Sequence, residues 1–162
     1  MLARVGILVP ALLLGGCGGA VQPTHTFATT APVAKGHLPC PPDDTSRVIA
    51  LVNQARRRAR LRMLGNDQHL ARFAGSRSAA MASDRRLSHQ GWEQALRRYG
   101  LTDDVLGENV AYNYDTPEAV MSGWLKSPGH RANILRPVFK RIGVGCVIDP
   151  RGRRWWTQDF AG

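Results

Sequence analysis

The sequence predicts an α+β domain, and three observations carry that expectation. Apolar residues recur at three- and four-residue spacing through the first part of the chain after residue 43, whereas strict alternation dominates only the last twenty residues. The segment 43–162, roughly 120 residues, suits one domain with one core. No internal repeat divides it. Helices first and between, with strands clustered late, argue for layers of helix on sheet.

The elements follow in order. Asp44 or Thr45 can cap a first helix in which Val48, Leu51, Val52 and Ala55 share a face. Its far end is Arg56-Arg57-Arg58-Ala59-Arg60, where cations meet the negative end of the helix dipole, so a solvated face explains the run before a binding patch does. A second helix is expected after Asn66-Asp67, burying Leu70, Phe73, Ala74, Ala80 and Met81 and ending near Leu87, with His89 directly after it. Trp92, Ala95, Leu96 and Tyr99 suggest a short third helix that stops at Gly100. Val105 to Tyr112 alternates loosely and enters the sheet, which places Glu108 on or beside a strand. Thr116-Pro117-Glu118 is a helix start: Thr caps, Pro suits the first helical position and Glu complements the dipole. Ala119, Val120, Gly123, Trp124 and Leu125 form the helix body, and Pro128-Gly129 is expected to break it, leaving His130 just past its end. Ile142, Val144, Cys146 and Ile148 then alternate into a turn at Asp149-Pro150-Arg151-Gly152, and Trp155 to Phe160 returns as the second strand of a hairpin.

The N-terminus reads as a leader. Arg4 precedes an apolar run from Val5 to Leu14, about ten residues against the roughly 20 a spanning helix needs. Leu14-Gly15-Gly16-Cys17 has the order of a bacterial lipobox, in which residues 1–16 are removed and Cys17 becomes a lipidated first residue. A plain secretory signal cut nearby is the alternative. Residues 17–42 carry the lipidated Cys and a tether rich in Gly, Thr, Ala and Pro, followed by the domain at 43–162. The expected location is extracytoplasmic, held to a cell membrane through the lipid. Cys40 and Cys146 remain as an even pair in an oxidising compartment, which favours a bridge.

The chain has 22 Lys and Arg against 12 Asp and Glu, a net charge of +10. An exported basic protein meets anionic lipid head groups or cell-wall polymers rather than nucleic acid, although the same charge also suits a merely soluble surface.

The chemistry-bearing residues are His89, Glu108 in Gly107-Glu108-Asn109, and His130 in the run Ser127–Leu135. Imidazoles and a carboxylate from separate segments suit either a divalent cation, Zn or Mg, or acid–base work near neutral pH. As a metal set, His89, Glu108 and His130 would leave one position open for water. The plain structural alternatives are a loop histidine at 89, a Glu108 hydrogen-bonded to backbone or to Asn109, and a His130 that caps a helix end. No His-Glu-x-x-His helix, Gly-x-Ser-x-Gly elbow or phosphate-cradling glycine loop occurs. Trp92, Trp124, Trp155 and Trp156 read as packing rather than as a ligand box, and His69, near a helix start, as solvent-facing.

Leu51-Val52-Asn53-Gln54-Ala55-Arg56, Ser88-His89, Gly107-Glu108-Asn109, Trp124, Ser127–Leu135, Gly143-Val144-Gly145 and Trp156–Phe160 fall in one order. Together they resemble the superfamily of cysteine-rich secretory proteins, antigen 5 and pathogenesis-related 1 (CAP, or SCP, domains) in its bacterial lipoprotein form. The resemblance implies a three-layer α-β-α sandwich with a mostly antiparallel central sheet. It also implies a cleft that pairs His89 with Glu108 and takes in Asn109, His130 and Gln158. Only half of the superfamily's two-histidine, two-glutamate tetrad is kept, since Ser127 and Trp155 stand at the other two positions. The expectation is a binding protein for an apolar or lipid-like ligand or an envelope partner, with at most a weakly held cation. A metal-assisted envelope hydrolase, peptidase or esterase, is the alternative.

Overall fold

The computed structural model describes residues 36–162; Cys17, the leader and most of the tether lie outside them. The chain runs β1 (Leu38–Pro39), α1 (Pro42–Arg58), β2 (Gly65–Asn66), α2 (Gln68–Asp84), α3 (Trp92–Arg98), β3 (Leu106–Tyr112), α4 (Pro117–Lys126), α5 (Pro128–Ile134), β4 (Arg141–Ile148) and β5 (Arg154–Ala161). The sheet order is β1-β4-β5-β3, all antiparallel, and β2 adds a short parallel pair with β4. This is the expected α+β class.

Helix α2 covers one face of the sheet, and α1, α4 and α5 cover the other. The larger core lies on the second side, where Val48, Val52, Val120, Trp124, Ile134, Phe139, Ile142, Trp156 and Phe160 pack together. On the α2 side, Leu70 and Phe73 meet Leu96 and Leu101, and Met81 and Ala82 meet Val110, Val147 and Trp155. Alternation along β4 leaves Gly143 and Gly145 facing α2. A Cβ on either would lie within 2.2–2.3 Å of helix backbone at Leu70–Gly75, so these two glycines set how closely the helix lies on the sheet.

Several boundaries differ from expectation, each for a local reason. Helix α1 begins at Pro42, ahead of Asp44, because Pro fits the first helical position and Asp43 and Asp44 then sit in the favourable first turn. Leu38 and Pro39, within the segment assigned to the tether, pair with Ile148 and Val147. Helix α2 is capped by Asp67, whose carboxylate accepts from the N–H groups of His69 and Leu70. It ends at Asp84 rather than Leu87 because Arg85 turns left-handed at φ 51°. Ala80 is exposed, and Ser78 takes the buried position, bonded to Thr157 at 2.9 Å. His69 is half-buried, its ring 4.9 Å from that of Tyr99. Pro128 opens a second helix instead of ending the fold's helical run, so His130 lies in the first turn of α5. Thr116 caps α4 as expected, accepting from Ala119 N–H.

The arginine run at the end of α1 is not uniform. Arg57, Arg58 and Arg60 are exposed, but Arg56 is fully buried. Its guanidinium donates to the carbonyls of Arg62, Ile134, Arg136 and Phe139 at 2.8, 2.8, 2.9 and 3.4 Å. Cys40 and Cys146 form a disulfide with Cα atoms 5.4 Å apart, beside the Cys40 N–H to Cys146 C=O hydrogen bond.

Candidate functional site

Strand β3 is an outer strand of the sheet. Successive side chains on it point to opposite faces, so Glu108 turns toward α2 while Asn109 turns toward α5. The site is therefore built around an edge rather than in one bowl.

On the α2 face, Arg77 Nε donates to Glu108 Oε2 at 2.8 Å and Nη2 to Oε1 at 3.3 Å, a forked pair. The same Nη2 donates to the Ser88 carbonyl at 2.7 Å, which ties the loop after α2 to the strand. His89 Nδ1 lies 2.9 Å from Glu108 Oε1. An ionised carboxylate only accepts, so Nδ1 carries the proton, and in the neutral ring Nε2 is left as an acceptor. The Glu108 side chain is wholly buried, while that of His89 is 51% exposed. Across the ladder from Glu108 stands Asp159, fully buried, with neither carboxyl oxygen hydrogen-bonded among the described residues. Burial above all, and then the charge of Glu108, holds the Asp159 carboxyl well above the usual aspartate range against the opposing pull of Arg77. Asp159 was not singled out in the sequence: the hairpin alternation sets it opposite Gly143, and its place beside Glu108 comes from the long-range pairing of β3 with β5.

On the other face, Asn109 Nδ2 donates to the His130 carbonyl at 3.1 Å and to Gln158 Oε1 at 3.0 Å. Asn133 Nδ2 donates to Asn109 Oδ1 at 2.9 Å and to the Glu108 carbonyl at 3.2 Å. Asn109 and Gln158 are fully buried, and Asn109 bolts α5 onto β3 through His130 and Asn133. His130 meets the site from α5, and its pKa is lowered first by burial and then by the charge of His89. The structure thus brings His89, Glu108 and His130 to one edge, with Asn109 bonded to the His130 backbone and Gln158 behind it.

A cavity of about 330 Å³ runs along this edge, lined by Leu87, Val110, Tyr112, Tyr114, Ser127 and His130 among others. Trp124, Trp155 and Trp156 are buried with each indole N–H bonded, to the Val110 carbonyl, Asp149 and the Tyr114 carbonyl, as packing requires.

The donor set does not fit a divalent cation. Both Glu108 oxygens already accept from Arg77, and Oε1 also from His89, so a metal would have to displace a guanidinium and face its charge. No group of three His, Cys, Asp or Glu side chains among the described residues is placed to hold an ion. Of the expected ligand trio His89, Glu108 and His130, Glu108 is engaged by Arg77 from helix α2, which supplies the positive charge there.

A family model described as the cysteine-rich secretory protein family matches residues 49–160. The uncharacterized protein YkwD of Bacillus subtilis is 35% identical over 121 residues, covering 72% of this chain and 46% of its own length. The crystal structure of an extracellular protein containing an SCP domain from Bacillus anthracis superposes with a TM-score of 0.66 at 29% identity, over 76% of this chain and 44% of that one. An outer surface protein from Borrelia burgdorferi shares the fold, with a TM-score of 0.70 at 17% identity over 76% of this chain and 96% of that one. The chain spans about half the length of the Bacillus relatives it matches.

Proposed function

Since the chain belongs to the cysteine-rich secretory protein (CAP) family, we propose that it is an extracytoplasmic binding module, tethered to the membrane through a lipidated Cys17, whose β3-edge cleft holds a ligand without turning it over. The observation that carries this reading is the closed charge pair on the same strand as the cleft. Glu108 is neutralised by Arg77 and hydrogen-bonded to His89, so its carboxylate is committed rather than free to bind metal or activate water. The similarity to an extracellular Bacillus anthracis protein supports the location, and the net charge of +10 supports contact with anionic lipid or cell-wall polymer.

Titration of isotopically labelled protein with palmitate, with phosphatidylglycerol vesicles and with peptide pools tests the site. Resonances of residues 87–89, 110–114 and 127–130 should move, and the double variant His89→Ala, Glu108→Ala should bind more weakly while staying folded. Shifts confined to other surfaces would remove the cleft from consideration. Detergent partitioning of wild type against Cys17→Ser tests the anchor.

The alternative is an acid–base hydrolase, favoured by one contact: His89 Nδ1 on Glu108 leaves Nε2 free to take a proton from water. Peptidase or esterase turnover that survives repurification and is lost in Glu108→Gln would establish it in place of the binding reading.

A further inference from the structure

The ladder between β3 and β5 fixes which backbone groups of β3 are spent. Asn113 N–H donates to the Arg154 carbonyl and Gly162 N–H to that of Val105. With the one-to-one register of the pair, residues 105, 107, 109, 111 and 113 turn their N–H and C=O toward β5, and 106, 108, 110 and 112 turn theirs outward. Two outward carbonyls are covered: Asn133 Nδ2 reaches that of Glu108 and Trp124 Nε1 that of Val110. The N–H of Val110 and both backbone groups of Tyr112 have no partner among the described residues, and both residues border the 330 Å³ cavity.

This pattern discriminates between occupants. An acyl chain laid in the groove would strip water from three backbone groups and return no hydrogen bond, a cost that an apolar ligand cannot offset at those atoms. An extended polypeptide carries donors and acceptors at the matching spacing and can add to the edge as another strand. The sign of its side chains follows from the surroundings. Arg85 and Arg86 are exposed directly before Leu87; the Arg153 guanidinium, 5.1 Å from the Tyr112 ring centroid, is paired with Asp149. The carboxylate of Glu108, on the same strand, is already compensated by Arg77. Exposed carboxylates near the groove in sequence include Asp84, Glu93, Asp115 and Glu118, of which Glu93 and Glu118 are paired with Arg97 and Arg47, against a chain of net charge +10.

We infer that the cleft takes a short, extended, acidic peptide segment as an added strand on β3, paired through the N–H of Val110 and both backbone groups of Tyr112 and flanked by Leu87 on one side and His130 on the other. This rests on the cleft being a binding site, and it specifies what is bound. Because Asn133 and Trp124 block the strand's earlier half, pairing is confined to its C-terminal end, and specificity resides in few residues.

The test uses the full chain and decapeptides selected from two randomised libraries, one carrying Asp and Glu as its charged residues and one carrying Lys and Arg. Tyr112→Pro deletes an outward N–H without touching the ladder to β5, as Pro can at an edge position, while Tyr112→Leu keeps that N–H and removes the same ring. Acidic peptides should bind at least tenfold more tightly than basic ones at low salt. Tyr112→Pro should lose tenfold or more, and Tyr112→Leu should stay within threefold of wild type. If the Pro variant fails to fold, N-methylation of the selected peptide decides: one alternate set of residues should lose tenfold and the other should be unaffected. Equal binding by the two Tyr112 variants, indifference to N-methylation, or no preference for acidic peptides overturns the inference. Palmitate bound at the cleft in a His89-dependent manner, with no peptide retained, overturns it while leaving the cleft a binding site; no ligand at residues 87–89 and 110–114 removes both.

Discussion

Replacing Arg56 by Met keeps most of the side-chain volume and removes the one fully buried guanidinium among the described residues. Its cost follows from what that group satisfies. Four carbonyls, on Arg62, Ile134, Arg136 and Phe139, lose a donor. The bonds to Ile134 and Phe139 are enclosed, the second of them long at 3.4 Å, while those to Arg62 and Arg136 lie nearer the surface, where water can substitute. A buried acceptor left unpaired costs about 1–3 kcal/mol, so the enclosed pair and partial losses at the others sum to roughly 4–6 kcal/mol. Against this, the variant no longer desolvates a charge, the same burial that lowers the Arg56 pKa, a relief of several kcal/mol in part cancelled by the bonds themselves. The net expectation for Arg56→Met is a loss of about 2–4 kcal/mol. Arg56→Lys should lose a similar amount, because one ammonium cannot fork to carbonyls on two separate loops. Urea unfolding with the disulfide intact and the m-value unchanged measures it, and the melting midpoint should fall by roughly 10 °C. An Arg56→Met protein within about 0.5 kcal/mol of wild type, the range of ordinary surface changes, would refute the assignment of Arg56 as the link between α1 and the segment 134–139.

Three other outcomes are expected. Gly145→Ala forces a Cβ to within 2.3 Å of backbone at Ala74 and Gly75 and should cost about 1–3 kcal/mol in the same urea assay, whereas Gly152→Ser in the open hairpin turn should cost less. Reduction of the Cys40–Cys146 bridge, which closes a sequence separation of 106, should lower stability by up to about 4–5 kcal/mol in the chain-entropy model; two free thiols in protein purified without reductant would contradict the bridge. The Asp159 carboxyl titrates higher in the fold than in the unfolded chain, so its contribution to stability is complete below the ordinary aspartate value of 3.8 and is lost as pH rises from there toward its raised folded value. Asp159→Asn should flatten that decline, and identical urea midpoints against pH for the two proteins would contradict it.

The legible parts of this chain were those with a local cause. The Thr116-Pro117 cap, the Asp67 start of α2 and the alternation from Ile142 to Phe160 each state their element within a few residues. Arg56 was hidden by its neighbours: a run of arginines reads as solvated, although Val48, Val52 and Arg56 share one four-residue phase and that phase faces the core. The break expected at Pro128 is there, since α4 ends at Lys126, but the new start at Ser127-Pro128 was missed although it follows the same grammar as Thr116-Pro117. Glu108 and Asn109, as neighbours on a strand, had to face opposite ways, so grouping them in one cleft ignored the pleat. Arg77 gave no signal at all, because its partner lies on a strand reached only through tertiary packing.

The disulfide also decides how this domain bears load. Cys40 enters the sheet beside β4, next to the two-residue β1 pairing, and β4 lies between β1 and β5 along the sheet. Tension applied through the chain preceding residue 40 passes across the sulfur bridge into that strand. The covalent path carries load straight to β4 in parallel with the backbone path through Pro41 into α1; reduction would leave only that backbone path and the two-residue β1 pairing.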